Sequence, residues 1–121
     1  MDSKRLYELW NELITKEQEL IGVKAGEYAN NDERLWNFIE GAQMQMNTPK
    51  ATAWSYLTKQ IISIKKACLL GSYMFCWAVK QKDGTYTEGI VQKIADARNY
   101  LFFVLCCLEE EAGKKAEFTT E

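Results

Sequence analysis

Helix breakers are nearly absent from this chain, and that absence constrains its fold more than any other feature. The 121 residues include one proline, Pro49, and seven glycines. In the stretches between them, apolar side chains recur with the 3.6-residue period of amphipathic helices. We therefore predict an all-α protein. Residues 1–113 are expected to form a single helical domain, followed by a polar tail over 114–121.

The first two helices are predicted from their capping signals and apolar spacing. Helix one begins with Asp2 or Ser3 as its N-cap, and Asn30 to Asp32 provide the turn before helix two. The residues expected on the buried side of helix one are Leu6, Leu9, Trp10, Leu13, Ile14, Leu20 and Ile21. Those of helix two are Leu35, Phe38, Ile39, Ala42 and Met46.

Thr48 and Pro49 are typical of the N-cap and first position of a third helix, which should run to about Gly71. Its inward residues are predicted to be Trp54, Leu57, Ile61, Ile64 and Cys68. The segment 73–79 fits a buried helix or a short strand, and helix is favoured because residues 73–81 lack the alternation of a hairpin strand. Thr87 is expected to cap the last helix, which Gly113 ends.

Composition excludes several classes of function. The net charge is −2, and residues of both signs are mixed along the chain. The sequence therefore has no basic stripe of the kind that binds nucleic acid, and nucleic-acid binding is not expected. Because the chain has no apolar run of about 20 residues and no charged leader, we expect neither a membrane span nor a signal peptide, and a cytoplasmic location. With no histidine and no C-x-x-C spacing among the four cysteines, zinc and Cys-His catalysis are unexpected, and reduced core thiols are predicted.

The most informative polar set is Asp96, Asn99 and Tyr100, which share one helix face at i, i+3 and i+4. That face continues an apolar stripe formed by Ile90, Ile94, Ala97, Leu101, Val104 and Leu108. The trio should therefore lie inside a core or at its rim, where buried polar groups need partners. Those partners are either other side chains or a ligand or metal.

Two further polar sets precede it. Lys24, Glu27 and Tyr28 lie before a turn rich in acids, and although helix capping explains most of that turn, Glu27 and Tyr28 could face the interior. Lys59 and Ser63 lie one turn apart in the third helix. Lys59 either extends its stem along the core towards solvent, or pairs with Asp96 or Glu27, or meets an anionic ligand.

Three motifs join these sets in order. They are K-x-x-E-Y-x-x-x-D-x-x-L-x-N-F from Lys24 to Phe38, K-x-x-x-S-I from Lys59 to Ile64, and K-I-x-D-x-x-N-Y from Lys93 to Tyr100. Together they resemble small bacteriophage proteins, mostly of undescribed function. That group is distantly similar to the MazG-type nucleoside triphosphate pyrophosphohydrolases and to phage nucleotide-modification-associated domains. The resemblance implies a MazG-like bundle of four or five helices, commonly dimeric.

The chain departs from the MazG pattern at the metal ligands. Those enzymes hold magnesium with E-x-x-E and E-x-x-D pairs, since this cation prefers carboxylate oxygens. Here the second pair reads Lys93 and Asp96, and Glu8 and Glu12 are spaced i, i+4 instead of forming the first. If a metal is bound, Glu27 and Asp96 are its candidate ligands. Magnesium is therefore expected only if the chain retains hydrolase activity, and otherwise no cofactor is expected.

Three functional hypotheses follow. The preferred one is a non-catalytic phage-type binding protein that acts in anti-defence, with either a nucleotide-like ligand or a host defence protein as partner. Its ligand-binding candidates are Lys24, Glu27, Tyr28, Lys59, Asp96, Asn99 and Tyr100. The alternatives are a degenerate magnesium-dependent nucleotide pyrophosphohydrolase and a protein interaction module without a small ligand. A homodimer is expected from the four tryptophans and from the resemblance.

Overall fold

The computed structural model describes the backbone of residues 1–28 and 33–120, and all of their side chains except those of residues 23–28. The elements run in the order α1 (Ser3–Tyr28), α2 (Trp36–Gln45), α3 (Pro49–Leu70), β1 (Ala78–Lys80), β2 (Tyr86–Glu88) and α4 (Ile90–Ala112). The all-α prediction is confirmed, because helices dominate the described residues and the strands found among them form one short hairpin. Within the described chain, none of the helices has the length and apolar character that crossing a membrane requires.

Helices α3 and α4 form an antiparallel pair at the centre of the bundle. Lys93 Nζ near the start of α4 lies 3.0 Å from Ser63 Oγ in the second half of α3. At the other end of the pair, Lys50 Nζ lies 2.6 Å from Glu111 Oε1. Helix α2 packs against α3, and α1 packs against α4.

The core centres on Phe38, whose side chain is 1% exposed. Its ring centroid lies 5.1 Å from that of Phe103 on α4 and 5.9 Å from that of Tyr56 on α3. Leu35, Ala53 on α3 and Cys107 on α4 complete this cluster, which joins α2, α3 and α4. Tilted aromatic contacts of this kind add to the free energy gained from burying the rings.

The helix ends follow the sequence signals. The backbone N–H of Arg5 donates to Asp2 Oδ1 over 2.8 Å, and that of Ala51 donates to Thr48 Oγ1 over 3.3 Å, so both predicted N-caps are confirmed. Gly71 and Gly113 follow α3 and α4 with φ values of +70° and +68°. This left-handed conformation is the one that glycine adopts at low cost.

The face that each helix buries differs in part from the prediction. Ten predicted core residues are exposed: Leu6, Leu9, Trp10, Met46, Trp54, Ile61, Cys68, Ile94, Leu101 and Leu108. In α3 the buried residues are instead Thr52, Ala53, Leu57 and Ala67. Their mostly small side chains let the backbone of α3 approach its neighbours closely, which rotates the buried face by about one residue from the prediction.

The prediction of a helix over 73–79 is wrong: residues 73–77 form no regular element, and the first strand of a hairpin begins at Ala78. Ala78, Val79 and Lys80 pair with Glu88, Thr87 and Tyr86, across a turn that contains Gly84 at φ +88°. The strands are only three residues long, too short to show the alternation whose absence argued against a hairpin.

The N-terminus of α4 is capped by the backbone of the preceding segment. Thr87 lies in β2, so the prediction that it caps this helix is wrong; the N-cap is Gly89, which has no side chain to offer. Instead, the carbonyl oxygens of Met74 and Cys76 accept hydrogen bonds from the N–H groups of Ile90 and Val91, over 2.9 and 3.2 Å. Segment 71–77 therefore acts as the cap that a side chain would otherwise supply.

Candidate functional site

The polar trio of α4 lies inside the bundle or at its rim, as predicted. Asp96 and Asn99 are 2% and 7% exposed, and Tyr100 is half-buried. Asn99 Nδ2 donates to the backbone carbonyl of Glu17 on α1 over 3.3 Å, and the ring of Tyr100 meets that of Tyr56 edge-on. The side chains of Asn99 and Tyr100 therefore have partners within the protein, and these contacts join α4 to α1 and α3.

An ion pair that the sequence analysis did not single out reinforces this contact. Glu17 Oε1 lies 2.6 Å from Arg98 Nε, and the Glu17 side chain is largely buried while that of Arg98 is not. Burial raises the pKa of Glu17, and the nearby Arg98 opposes that rise. The available signal was the position of Glu17, four residues after Leu13 and three before Leu20 on the apolar side of α1.

Lys59 does not enter the bundle. Its side chain is exposed, which agrees with the alternative in which the lysine reaches solvent and not with burial beside Asp96; the side chain of Glu27, the other suggested partner, lies outside the described residues. The rotation of α3 places Gln60 and Ser63 on the half-buried side in its stead. The lysine that reaches Ser63 is Lys93, from the third motif.

The first polar set can be followed only in part. Lys24, Glu27 and Tyr28 belong to the last turns of α1, but their side chains lie outside the described residues, as does Asp32. Glu33 is described, and its Oε1 accepts a hydrogen bond from the N–H of Leu35 over 3.1 Å. This contact precedes α2, whose N-cap Leu35 makes no side-chain capping hydrogen bond and whose first turn contains no acidic residue, so it does not support the capping interpretation for Glu33.

Lys93 lies in a pocket of about 440 Å³ between α3, segment 71–77, the hairpin and α4. We call it the Lys93 pocket. Its polar lining comprises two lysines, Lys66 and Lys93, the hydroxyl residues Ser63, Ser72, Tyr73 and Thr87, and the carboxylate of Glu88. Two ammonium groups and several hydroxyl donors in a concave site are the groups that bind phosphate or carboxylate.

A second and larger cavity, of about 850 Å³, lies between α1, segment 71–77 and the start of α4. We call it the α1–α4 groove. Its walls are mainly apolar and include Leu9, Leu13, Phe75, Trp77, Val91 and Ile94. Lys16 Nζ lies 5.3 Å from the ring centroid of Trp77 at its edge, within range of a cation-π interaction. The sequence analysis did not predict this groove, because it assigned Leu9 and Trp77 to packed helices.

The described residues contain no group of three or more His, Cys, Asp or Glu side chains arranged to hold a metal ion. The side chain of Glu27, the other candidate metal ligand, lies outside the described residues, so its pairing with Asp96 stays a prediction. Comparisons with known proteins add no relative: no family model matches the chain, and neither a curated protein nor a solved structure matches it.

Proposed function

We propose that the chain is a non-catalytic helical binding protein whose Lys93 pocket takes a small phosphorylated molecule of nucleotide-like chemistry. The observation that carries the proposal is the hydrogen bond of 3.0 Å from Lys93 Nζ to Ser63 Oγ inside this pocket. A neutral hydroxyl orients the ammonium group without cancelling its charge. That charge can then serve an anionic ligand.

The rest of the pocket fits the same ligand class. Lys66 supplies a second positive charge, and the one lining carboxylate, Glu88, lies 3.4 Å from the side-chain amide of Gln92. Tyr73 presents an aromatic ring at the wall, which suits stacking by a base. Phosphate contacts from two lysines with an adjacent aromatic ring are a common way to hold a nucleotide.

The motifs supply the biological setting of this proposal. Ser63 and Lys93 both belong to the motifs that resemble phage proteins, and the fold is a bundle as a MazG-like relative would require. In the cytoplasm of an infected cell, a protein that sequesters a nucleotide signal would keep that signal from a host defence system. This is the anti-defence role that we propose.

Calorimetric titration with nucleoside triphosphates and cyclic nucleotides tests the proposal. We expect at least one of them to bind, and we expect Lys93→Gln to weaken that binding by about tenfold or more, the typical effect of losing a charge-assisted hydrogen bond. Lys65→Gln is the matched control, since Lys65 is an exposed neighbour of Lys66 that does not line the pocket. Wild-type protein that binds none of these compounds, or Lys93→Gln protein that binds as tightly, would overturn the proposal.

A second candidate is an interaction module that acts on a host defence protein, and the α1–α4 groove with its exposed aromatic rim favours it. The two candidates predict opposite results in a phage infection assay. If the groove carries the function, Phe75→Glu, at an exposed aromatic residue of the groove wall, abolishes protection of the phage and Lys93→Gln does not. If the Lys93 pocket carries it, the outcomes are reversed.

A further inference from the structure

We propose that the end of the bundle where α3 stops and α4 begins docks on a membrane surface that carries anionic lipids. The docking surface, which we call the apolar tip, consists of Leu69, Leu70, Tyr73 and Phe75. It belongs to the last turn of α3 and to segment 71–77. The proposal does not depend on the nucleotide-like ligand, because Leu69 and Phe75 do not line the Lys93 pocket.

The four side chains of the apolar tip lie together and are largely exposed. Leu69, Leu70 and Phe75 are 72%, 77% and 85% exposed, and Tyr73 is 55% exposed. Leu70 and Tyr73 line the same pocket, and the ring centroids of Tyr73 and Phe75 are 6.4 Å apart. A cluster of exposed apolar side chains marks a contact with another protein or with a membrane.

Lysines accompany the apolar tip. Residues 65–93 contain five lysines and two acidic residues, a net charge of +3, although the whole chain has a net charge of −2. Lys65 and Lys66 precede Leu69 and Leu70 by one helical turn, so each lysine shares a helix face with one leucine. The other three lysines belong to the hairpin and to the first turn of α4, which form the same end of the bundle.

The distribution of charge orients the molecule towards an anionic surface. The neighbouring half of α1, residues 1–16, holds three basic and three acidic residues and adds no net side-chain charge. The opposite end of the α3–α4 pair carries three consecutive glutamates at 109–111, of which Glu111 pairs with Lys50. Anionic lipids attract the lysine end and repel the glutamate end, so the apolar tip meets the lipid first.

A lipid surface fits the apolar tip better than a protein does. A protein partner would need a densely packed pocket for each projecting side chain, whereas the boundary between headgroups and acyl chains accepts leucine and phenylalanine in any arrangement. Tyr73 suits the headgroup region, because its ring is apolar and its hydroxyl is polar. Apolar insertion and a lysine cluster are also the two weak attractions that combine in stable membrane association.

Co-sedimentation with lipid vesicles tests the proposal. We expect the wild-type chain to bind vesicles of equal parts phosphatidylcholine and phosphatidylglycerol, and not to bind vesicles of phosphatidylcholine alone. Added salt should weaken the binding, because it screens exposed lysines. Equal binding to both kinds of vesicle would overturn the proposal. Protein that stays in solution with the anionic vesicles would also overturn it, and would leave a protein with an acidic surface as the occupant of the apolar tip.

Single substitutions locate the contact. Leu69→Ser should lower the vesicle partition coefficient by about tenfold or more, the effect of withdrawing one inserted apolar side chain. Lys65→Gln should lower it by about fivefold, the contribution of one lysine near an anionic surface. Neither residue lines the Lys93 pocket or the α1–α4 groove, so a change in vesicle binding reports on the apolar tip itself.

Matched controls separate the apolar tip from general surface effects. Met44→Ser removes an 84% exposed apolar side chain from α2, and Lys114→Gln removes an exposed charge just after α4. Both variants should bind anionic vesicles as the wild type does. Binding that is unchanged by Leu69→Ser in a protein still folded by circular dichroism, or that Met44→Ser lowers equally, would overturn the proposal.

Discussion

Arg98 Nε on α4 and Glu17 Oε1 on α1 lie 2.6 Å apart, and they form an ion pair that links helices from opposite ends of the chain. Proximity to a guanidinium normally lowers the pKa of a carboxyl group, yet burial raises that of Glu17 in this fold. The cost of removing the carboxylate from water therefore exceeds the attraction of Arg98. The pair specifies how α1 sits on α4 more than it stabilises the fold at neutral pH.

We predict that the free energy of unfolding of the Glu17→Gln variant increases relative to that of the wild type as the pH rises. A carboxyl group whose pKa is raised above its ordinary value of 4.5 stabilises the fold when protonated, and that contribution is lost as the pH rises through its folded pKa. Glutamine does not titrate. Denaturant unfolding of both proteins at about pH 4 and about pH 7 measures the difference. If the wild type instead gains stability relative to the variant at the higher pH, the attraction of Arg98 exceeds the desolvation cost of Glu17.

Gly89→Ala should destabilise the fold. A Cβ at this position would overlap the carbonyl oxygen of Cys76, which accepts the hydrogen bond from Val91 at the start of α4. We expect a loss of about 1–3 kcal/mol in the free energy of unfolding, typical of overpacking. Gly22→Ala is the control: nothing lies near its Cβ, and removing a glycine from a helix interior should stabilise by about 0.5–1 kcal/mol. Equal effects at both positions would contradict the contact with Cys76.

Phe38→Ala should be among the most damaging single changes in the described part of the chain. It removes a ring that touches Tyr56 and Phe103 from the centre of the core. We expect a loss of about 3–5 kcal/mol, measured by denaturant unfolding. Phe118→Ala, which truncates a 90% exposed ring in the tail, should change little. A small effect of Phe38→Ala would mean that the core lies elsewhere.

The cysteines should differ in reactivity. Burial, with smaller contributions from Cys106 and Glu110, raises the pKa of Cys107 to about 11, whereas Cys68 is exposed. Because the thiolate is the reactive form, iodoacetamide at about pH 8 should alkylate Cys68 and spare Cys107 in the folded protein. Peptide mass spectrometry after brief labelling reads the result, and urea-unfolded protein, in which all four cysteines should react, is the control. Fast labelling of Cys107 in the native state would contradict its burial.

Helix boundaries in this chain were predictable because their signals are local. A side-chain oxygen at Asp2 or Thr48 and a left-handed glycine at Gly71 or Gly113 each act within one turn. The buried face of α3 was not predictable, because large apolar residues occur on several of its sides. In the structure the small residues Ala53 and Ala67 are buried, because they allow close packing, whereas Trp54 and Ile61 are exposed. A prediction from apolar periodicity favours the large residues and therefore chose the wrong face.

The same distinction applies to the candidate sites. The burial of Asp96 and Asn99 followed from their spacing on a single helix, which the sequence contains. The Lys93 pocket and the α1–α4 groove both depend on segment 71–77, whose path is fixed by hydrogen bonds to α4 and not by its own composition. A local sequence pattern cannot predict a contact between residues 30 positions apart. The hydrogen bond between Lys93 and Ser63 could therefore be found only in the structure.

The bond between Asn99 and the backbone of Glu17 spans 82 positions of the chain, whereas α3, the hairpin and α4 are consecutive. Contacts between near neighbours close at a lower entropic cost, so the consecutive part is the natural folding nucleus. At translation rates of roughly 5–20 residues per second, α1 emerges about 4 to 16 seconds before its docking position on α4 exists. During synthesis the apolar side of α1 is therefore open to chaperones and to neighbouring nascent chains until α4 has been made.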